Sequence, residues 1–269
     1  MPLVRRPAVA GRFYPAQPDV LLHDLRSYLA PAEGKVRAYG CVVPHAGYMY
    51  SGHVAGAVYG RLELPARFII LCPNHTGMGK PIAVMKKGSW ETPLGSVAVD
   101  EALATALLES CHLASEDADA HRAEHALEVQ LPFLQALRRS FSFLPITVGV
   151  GSFEALAELG QALADITARA HEAVLIIASS DMNHYESDAI TRVKDSKALE
   201  RILTLDPQGL FDVVMQEDIS MCGYGPTVAM LTASKALGAR SAELVKYATS
   251  GDVSGDRNMV VGYAGIVVS

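Results

Sequence analysis

A chain of 269 residues is long enough to bury a full core, with room for one or two domains at ~100–200 residues each. Apolar residues make up 50% and charged residues 19%, an ordinary globular balance that excludes a disordered chain. Acidic residues number 29 against 23 basic ones, a formal net charge of −6, and no basic run occurs, which argues against nucleic acid or an anionic membrane surface as partner.

The opening MPLVRRPAVAGRFYP has no apolar stretch of signal-peptide length. No segment approaches the ~18–20 uninterrupted apolar residues of a membrane helix, so the expectation is a cytoplasmic chain with no membrane span. In chain order, an apolar run, a Gly/Pro/Asn turn and a helical stretch recur. Tyr39–Val43 predicts a buried strand ended by Pro44, with a helix over Gly52–Leu62; Arg67–Cys72 repeats the strand and ends at Pro73. Gly88–Val99 predicts a hairpin or long loop. Helices are expected over 100–112, 122–139, 153–170, 189–205, 206–216 and 226–237, with Asp206-Pro207 as N-cap and first helical residue. Phe141–Val148 and Val174–Ala178 predict further buried strands, and 242–248 and 259–268 close the chain as β-rich runs. Continuous apolar strands spaced by helices point to a mainly parallel sheet covered on both faces. No repeat or linker interrupts the pattern, so a single domain over residues 1–269 is expected.

In such sheets ligands bind outside the carboxyl ends of the strands. Three predicted strands run into polar turns that carry a histidine: CVVPHAGYMYSG with His45, FIILCPNHTG with His75, and LIIASSDMNHY with Asp181 and His184. These turns should share one edge of the sheet, with Asp181 as the partner that holds the His184 ring in one tautomer. The four cysteines, Cys41, Cys72, Cys111 and Cys222, are too few and scattered for a disulfide framework. Cys222 differs from the others because MCGYGPTVAM sets it beside a helix N-terminus, where backbone dipoles favour the thiolate. A competing constellation is HRAEHALEVQLPFL: on a helix, His121, Glu124, His125 and Glu128 would share one face, and His121–His125 matches the inverted zinc-protease pattern H-x-x-E-H.

The motifs RPAVAGRFYP (6–15), PHAGYMYSG (44–52), PNHTG (73–77), EHALEVQLPFL (124–134), SSDMNHY (179–185) and CGYGP (222–226), taken together and in this order, resemble the Memo family, called AmmeMemoRadiSam system protein B in microbes. The resemblance implies an α/β fold similar to class III extradiol dioxygenases, with a central mainly parallel or mixed sheet and helices on both faces. It implies one transition-metal ion, Fe first with Cu or Zn as alternatives, held by His45, His75 and Cys222, while Asp181 and His184 position or protonate a substrate. A thiolate in place of the carboxylate of the two-histidine, one-carboxylate iron site softens the donor set. The function expected is a non-haem, metal-dependent oxidoreductase acting on a small substrate or oxygen species. The alternatives are a non-catalytic protein binding a metal or peptide in the cleft, with a radical-SAM-associated partner, and a metal-dependent hydrolase.

Overall fold

The computed structural model describes residues 3–29 and 34–269; Met1 and Pro2 of the opening segment lie outside them. Among the described residues the chain begins with β1 (Val4–Arg5), α1 (Pro18–Tyr28), β2 (Gly40–Val43), α2 (Tyr48–Arg61), β3 (Arg67–Pro73) and β4 (Ile82–Val84). It continues through β5 (Ser89–Thr92), β6 (Gly95–Val99), α3 (Glu101–Ser110), β7 (Ser115–Glu116), α4 (Leu131–Leu137), β8 (Ser142–Val148), α5 (Phe153–Arg169) and β9 (Val174–Ser179). The last part is β10 (His184–Glu186), α6 (Asp188–Leu203), α7 (Pro207–Gln216), α8 (Tyr224–Ala236), β11 (Ala242–Thr249), α9 (Gly251–Ser254) and β12 (Val260–Val268).

The strands form one sheet in the order β1-β5-β6-β8-β3-β9-β2-β12-β10, with β11 on β12 and β4 on β8. Its centre, β6-β8-β3-β9-β2, is parallel; the margins at β12, β11, β10 and β4 are antiparallel. Alternate residues of each central strand feed two cores. Phe68, Ile70 and Cys72 of β3 pack under α1, α2 and α4, while Ile69 and Leu71 pack under α3, α5, α6, α7 and α8. Burial on both faces is why these strands carry no polar alternation. Buried Leu156, Leu159, Leu163 and Ile166 of α5 fall at helical spacing, and the Ser152 side chain caps its start by accepting from the Ala155 N–H at 3.3 Å.

The expected hairpin is β5–β6, which pair antiparallel. The helix expected over 122–139 is a correction. Only Leu131–Leu137 is α-helical there, preceded by 3₁₀ turns at Asp119–His121 and Glu128–Gln130. His121, Glu124, His125 and Glu128 therefore share no helix face, and the inverted-protease arrangement does not form. Each of three buried polar groups has its own tertiary partner: the His121 Nε2–H donates to the Ala83 carbonyl (3.2 Å), Glu124 binds His75, and Glu128 pairs with Arg5. Leaving such groups unpaired inside costs more than a few residues of helix contribute. Among the described residues no helix is long and apolar enough to cross a membrane.

Candidate metal centre

The insertion of β9 between β2 and β3 sets the ends of three neighbouring parallel strands side by side. His45 follows β2 by two residues, His75 follows β3 by two, and Asp181 follows β9 by two. The expected shared edge is therefore present. Cys222 arrives from the turn before α8, and His125 from the irregular segment that stands where a helix was expected. Donor atoms of His45, His75 and His125 lie within 4.8 Å of one another, and the Cys222 Sγ is 3.2 Å from the His45 Nε2. Cys222 sits this close because Gly223 presses against the end of β9; a Cβ there would meet the Ser179 carbonyl oxygen at 2.4 Å.

Hydrogen bonds select the tautomers of His45, His75 and His184. The Ser179 hydroxyl donates to the Ala126 carbonyl (2.6 Å) and accepts from the Gln130 Nε2 (2.8 Å). Its one proton is thus committed, so at 3.0 Å the His45 Nδ1–H must donate to it, leaving the Nε2 lone pair towards Cys222. His75 donates from Nδ1 to the Glu124 Oε1 (2.9 Å) and from its main-chain N–H to Oε2 (2.7 Å). The His184 Nδ1–H donates to the Ser220 carbonyl at 2.8 Å. In each of these three neutral tautomers the Nε2 carries the lone pair. A histidine fixed through one nitrogen by a carboxylate, hydroxyl or carbonyl is the arrangement that orients metal ligands.

The electrostatics differ between the two strand-end histidines, favouring the neutral ring at His45 and the protonated one at His75. Burial, then the neighbouring His125 and His75 rings, push His45 well below its ordinary 6.5 and keep it neutral, as a ligand must be; it is 2% exposed. Burial also acts on His75, but its bond and charge contact with Glu124 outweigh this and raise it. Glu124 resists its own burial through the His75 bond and charge and the Ala126 N–H, and its carboxyl falls to about 2. His125 is lowered, chiefly by burial. Burial raises Asp181, opposed by the main-chain N–H of His45, which it accepts at 2.7 Å.

Two expectations change here. The lowered pKa of Cys222 at a helix N-terminus is not found. Burial and the Asp181 carboxylate push the thiol well above its ordinary value, so a bound cation rather than the helix would have to favour the thiolate. Ser220, not Asp181, fixes the His184 ring. Otherwise the structure gathers the sequence-selected residues: His45, His75, Asp181, His184 and Cys222 line one cleft of ≈ 600 Å³ with Phe13, His125 and Tyr185. Sequence reasoning missed His125, Glu124 and Ser179 as site residues. The first two lie in the EHALE motif, where helical spacing obscures them; Ser179 closes a predicted strand without any signal of its own.

The donor set fits a transition metal: a neutral imidazole at His45, a second oriented imidazole at His75 and a nearby sulfur, with a third imidazole in reach. Comparison with known proteins adds a lineage. A family profile described as Memo-like protein matches residues 5–267. A MEMO1 family protein of Methanopyrus kandleri is 45% identical over 98% of this chain and 98% of its own length. Another, from Methanosarcina mazei, is 46% identical over 98% of this chain and 99% of its own. The crystal structure of an uncharacterized protein of Escherichia coli K12 is similar in fold, with a TM-score of 0.59 at 12% identity, covering 86% of this chain and 100% of that one.

Proposed function

This chain belongs to the Memo-like protein family, and from that premise we propose that it is a metal-dependent oxidoreductase acting on a small molecule or an oxygen species in the strand-end cleft. The observation that carries the reading is the meeting of His45, His75 and His125 within 4.8 Å, with Cys222 3.2 Å from His45. His45, His75 and Cys222 hold one metal ion, Fe first, with Cu and Zn compatible with the same soft set. His125 is the neighbouring donor. Bound there, the metal supplies Lewis acidity and, for Fe or Cu, one-electron chemistry.

The chain's own groups do the rest. Ser179 and Glu124 each accept from an Nδ1–H and so aim the Nε2 nitrogens of His45 and His75. His184, with its Nε2 lone pair available, takes a proton from the bound molecule and returns it, acting as general base and then general acid. Asp181 holds the His45 main chain and lends negative charge to the site. The cleft volume of ≈ 600 Å³ lies within the ~300–1,000 Å³ usual for small-molecule sites, which favours a small substrate over a peptide.

The test is anaerobic purification with metal analysis, followed by oxygen-uptake assays on electron-rich aromatics. The expected result is about one metal per chain, lost in His45→Ala, His75→Ala and Cys222→Ser, retained in His125→Ala, and required for oxygen uptake. Wild-type metal content in both histidine variants would refute the assignment. Retention in Cys222→Ser with loss in His125→Ala would make the set three histidines. Turnover without oxygen would make the enzyme a hydrolase, and full metal loading with no turnover a binding protein.

A further inference from the structure

His184 is gripped by Ser220 at two points. Its main-chain N–H donates to the Ser220 Oγ (2.7 Å), and its ring Nδ1–H donates to the Ser220 carbonyl (2.8 Å). Ser220 is held in turn by Asn183, which is fully buried beside the cleft. The Asn183 Oδ1 accepts from the Ser220 main-chain N–H (3.1 Å) and from its hydroxyl (3.0 Å), while Nδ2 donates to the Glu186 Oε2 (2.7 Å). A flipped amide would set NH₂ against the Ser220 N–H and oxygen against a carboxylate, so the orientation is determined by its partners.

The clamp is itself anchored. The Asn183 main-chain N–H donates to the Asp195 Oδ1 (2.8 Å), and Asp195 also accepts from the Tyr247 hydroxyl (2.6 Å). Lys194 pairs with Glu186 (2.8 Å) and donates to the Asp218 carbonyl (2.9 Å). The turn that carries Ser220, and Cys222 two residues later, is thereby tied to α6. Packing alone needs no carboxamide at this spot; orienting a carbonyl towards an imidazole does.

We propose that Asn183 is a positioning residue: it fixes the Ser220 turn so that the Ser220 carbonyl holds His184 as the Nδ1–H tautomer, with Nε2 left as the basic nitrogen, on the same turn that presents Cys222. The proposal rests on the reading of His184 as the proton-handling group. The tautomer, however, is measured without any turnover.

The test is long-range ¹H–¹⁵N spectroscopy of the full chain labelled with ¹⁵N-histidine, at mildly alkaline pH. The His184 resonances are assigned by their loss in His184→Gln. Wild type should show the Nδ1–H pattern. Asn183→Ala should lose it, to an averaged or Nε2–H pattern, while the His45 and His75 signals hold their Nδ1–H pattern. If Asn183→Ala does not fold, Asn183→Ser, whose hydroxyl is too short to bridge Ser220 and Glu186, is read in the same way. A wild-type His184 protonated at Nε2 overturns the proposal, and so does an unchanged Nδ1–H pattern in the folded variant. Absence of turnover in the wild type sinks the oxidoreductase reading, while the tautomer of His184 still decides the role of Asn183.

Discussion

Replacing Glu128 by Gln should destabilise the protein strongly. Glu128 is a completely buried carboxylate facing Arg5, whose side chain is 5% exposed. It accepts in addition from the main-chain N–H of Ala8 (2.8 Å) and of Val9 (3.1 Å) and from the Tyr14 hydroxyl (2.5 Å). Gln keeps the volume but removes the charge and turns one acceptor into a donor among donors. Breaking a buried ion pair from one side costs ~3–5 kcal/mol, because the other charge stays inside unpaired. At ~2–4 °C per kcal/mol for a chain of this order, the melting temperature should fall by roughly 6–20 °C. Thermal melts followed by far-UV and near-UV circular dichroism, with urea titrations, measure it. Removing both charges, Arg5→Met with Glu128→Met, should recover a large part of the loss. A single-variant loss below about 1 kcal/mol, the level of a surface pair, would refute the reasoning, as would a double variant no better than the sum of its parts.

His121 gives a pH dependence of definite sign. Burial lowers it from 6.5 to about 4; between those values the unfolded chain carries a proton that the folded chain lacks, so its contribution falls as pH drops. At ~1.4 kcal/mol per unit this is about 3 kcal/mol, seen as the wild-type minus His121→Gln difference across pH 6.5–4. The difference is needed because Asp195, raised to about 6 by burial, slopes the other way; a flat difference contradicts the assignment. Among the cysteines, Cys222 should be alkylated first at raised pH and be protected by metal, since Cys41, Cys72 and Cys111 are buried; peptide mapping that finds Cys41 or Cys72 ahead of it would sink this. His184→Ala should keep fold and metal yet lower turnover by ~10²-fold or more, whereas loss of metal in that variant would make His184 a ligand.

The central strands are legible because burial on both faces writes itself as uninterrupted apolar runs such as RFIILC and VLIIAS. The parallel order follows from the helices between them. The short strands β1, β4, β7 and β10 are not legible, because pairing with neighbours holds them rather than any pattern of two to three residues. Helix α1 carries only a faint signal, Pro18 in its first turn with Leu21 and Leu25 on one face, too sparse to stand out beside the strand-and-turn rhythm that follows it. The candidate site is legible where a histidine ends a strand, since strand direction alone brings His45 and His75 to one edge. His125 escapes because helical spacing is a local property, and here Arg5, His75 and the Ala83 carbonyl compete for its neighbours from distant parts of the chain. The misread of Cys222 has the same root: a helix dipole is visible in sequence, but the burial and the Asp181 carboxylate that outweigh it are not.

The position of β9 between β2 and β3 also governs how the protein is made. β2 and β3 leave the ribosome early, yet in the native sheet they stand two strand spacings apart, about 9–10 Å, with β9, synthesised about a hundred residues later, filling the gap. Until then two apolar strands have no native partner between them and are open to pairing directly with each other, a register the finished sheet forbids. Closing such long loops before any reward makes this step slow. It also means that His45 and His75 reach their native separation only once β9 has been made and inserted.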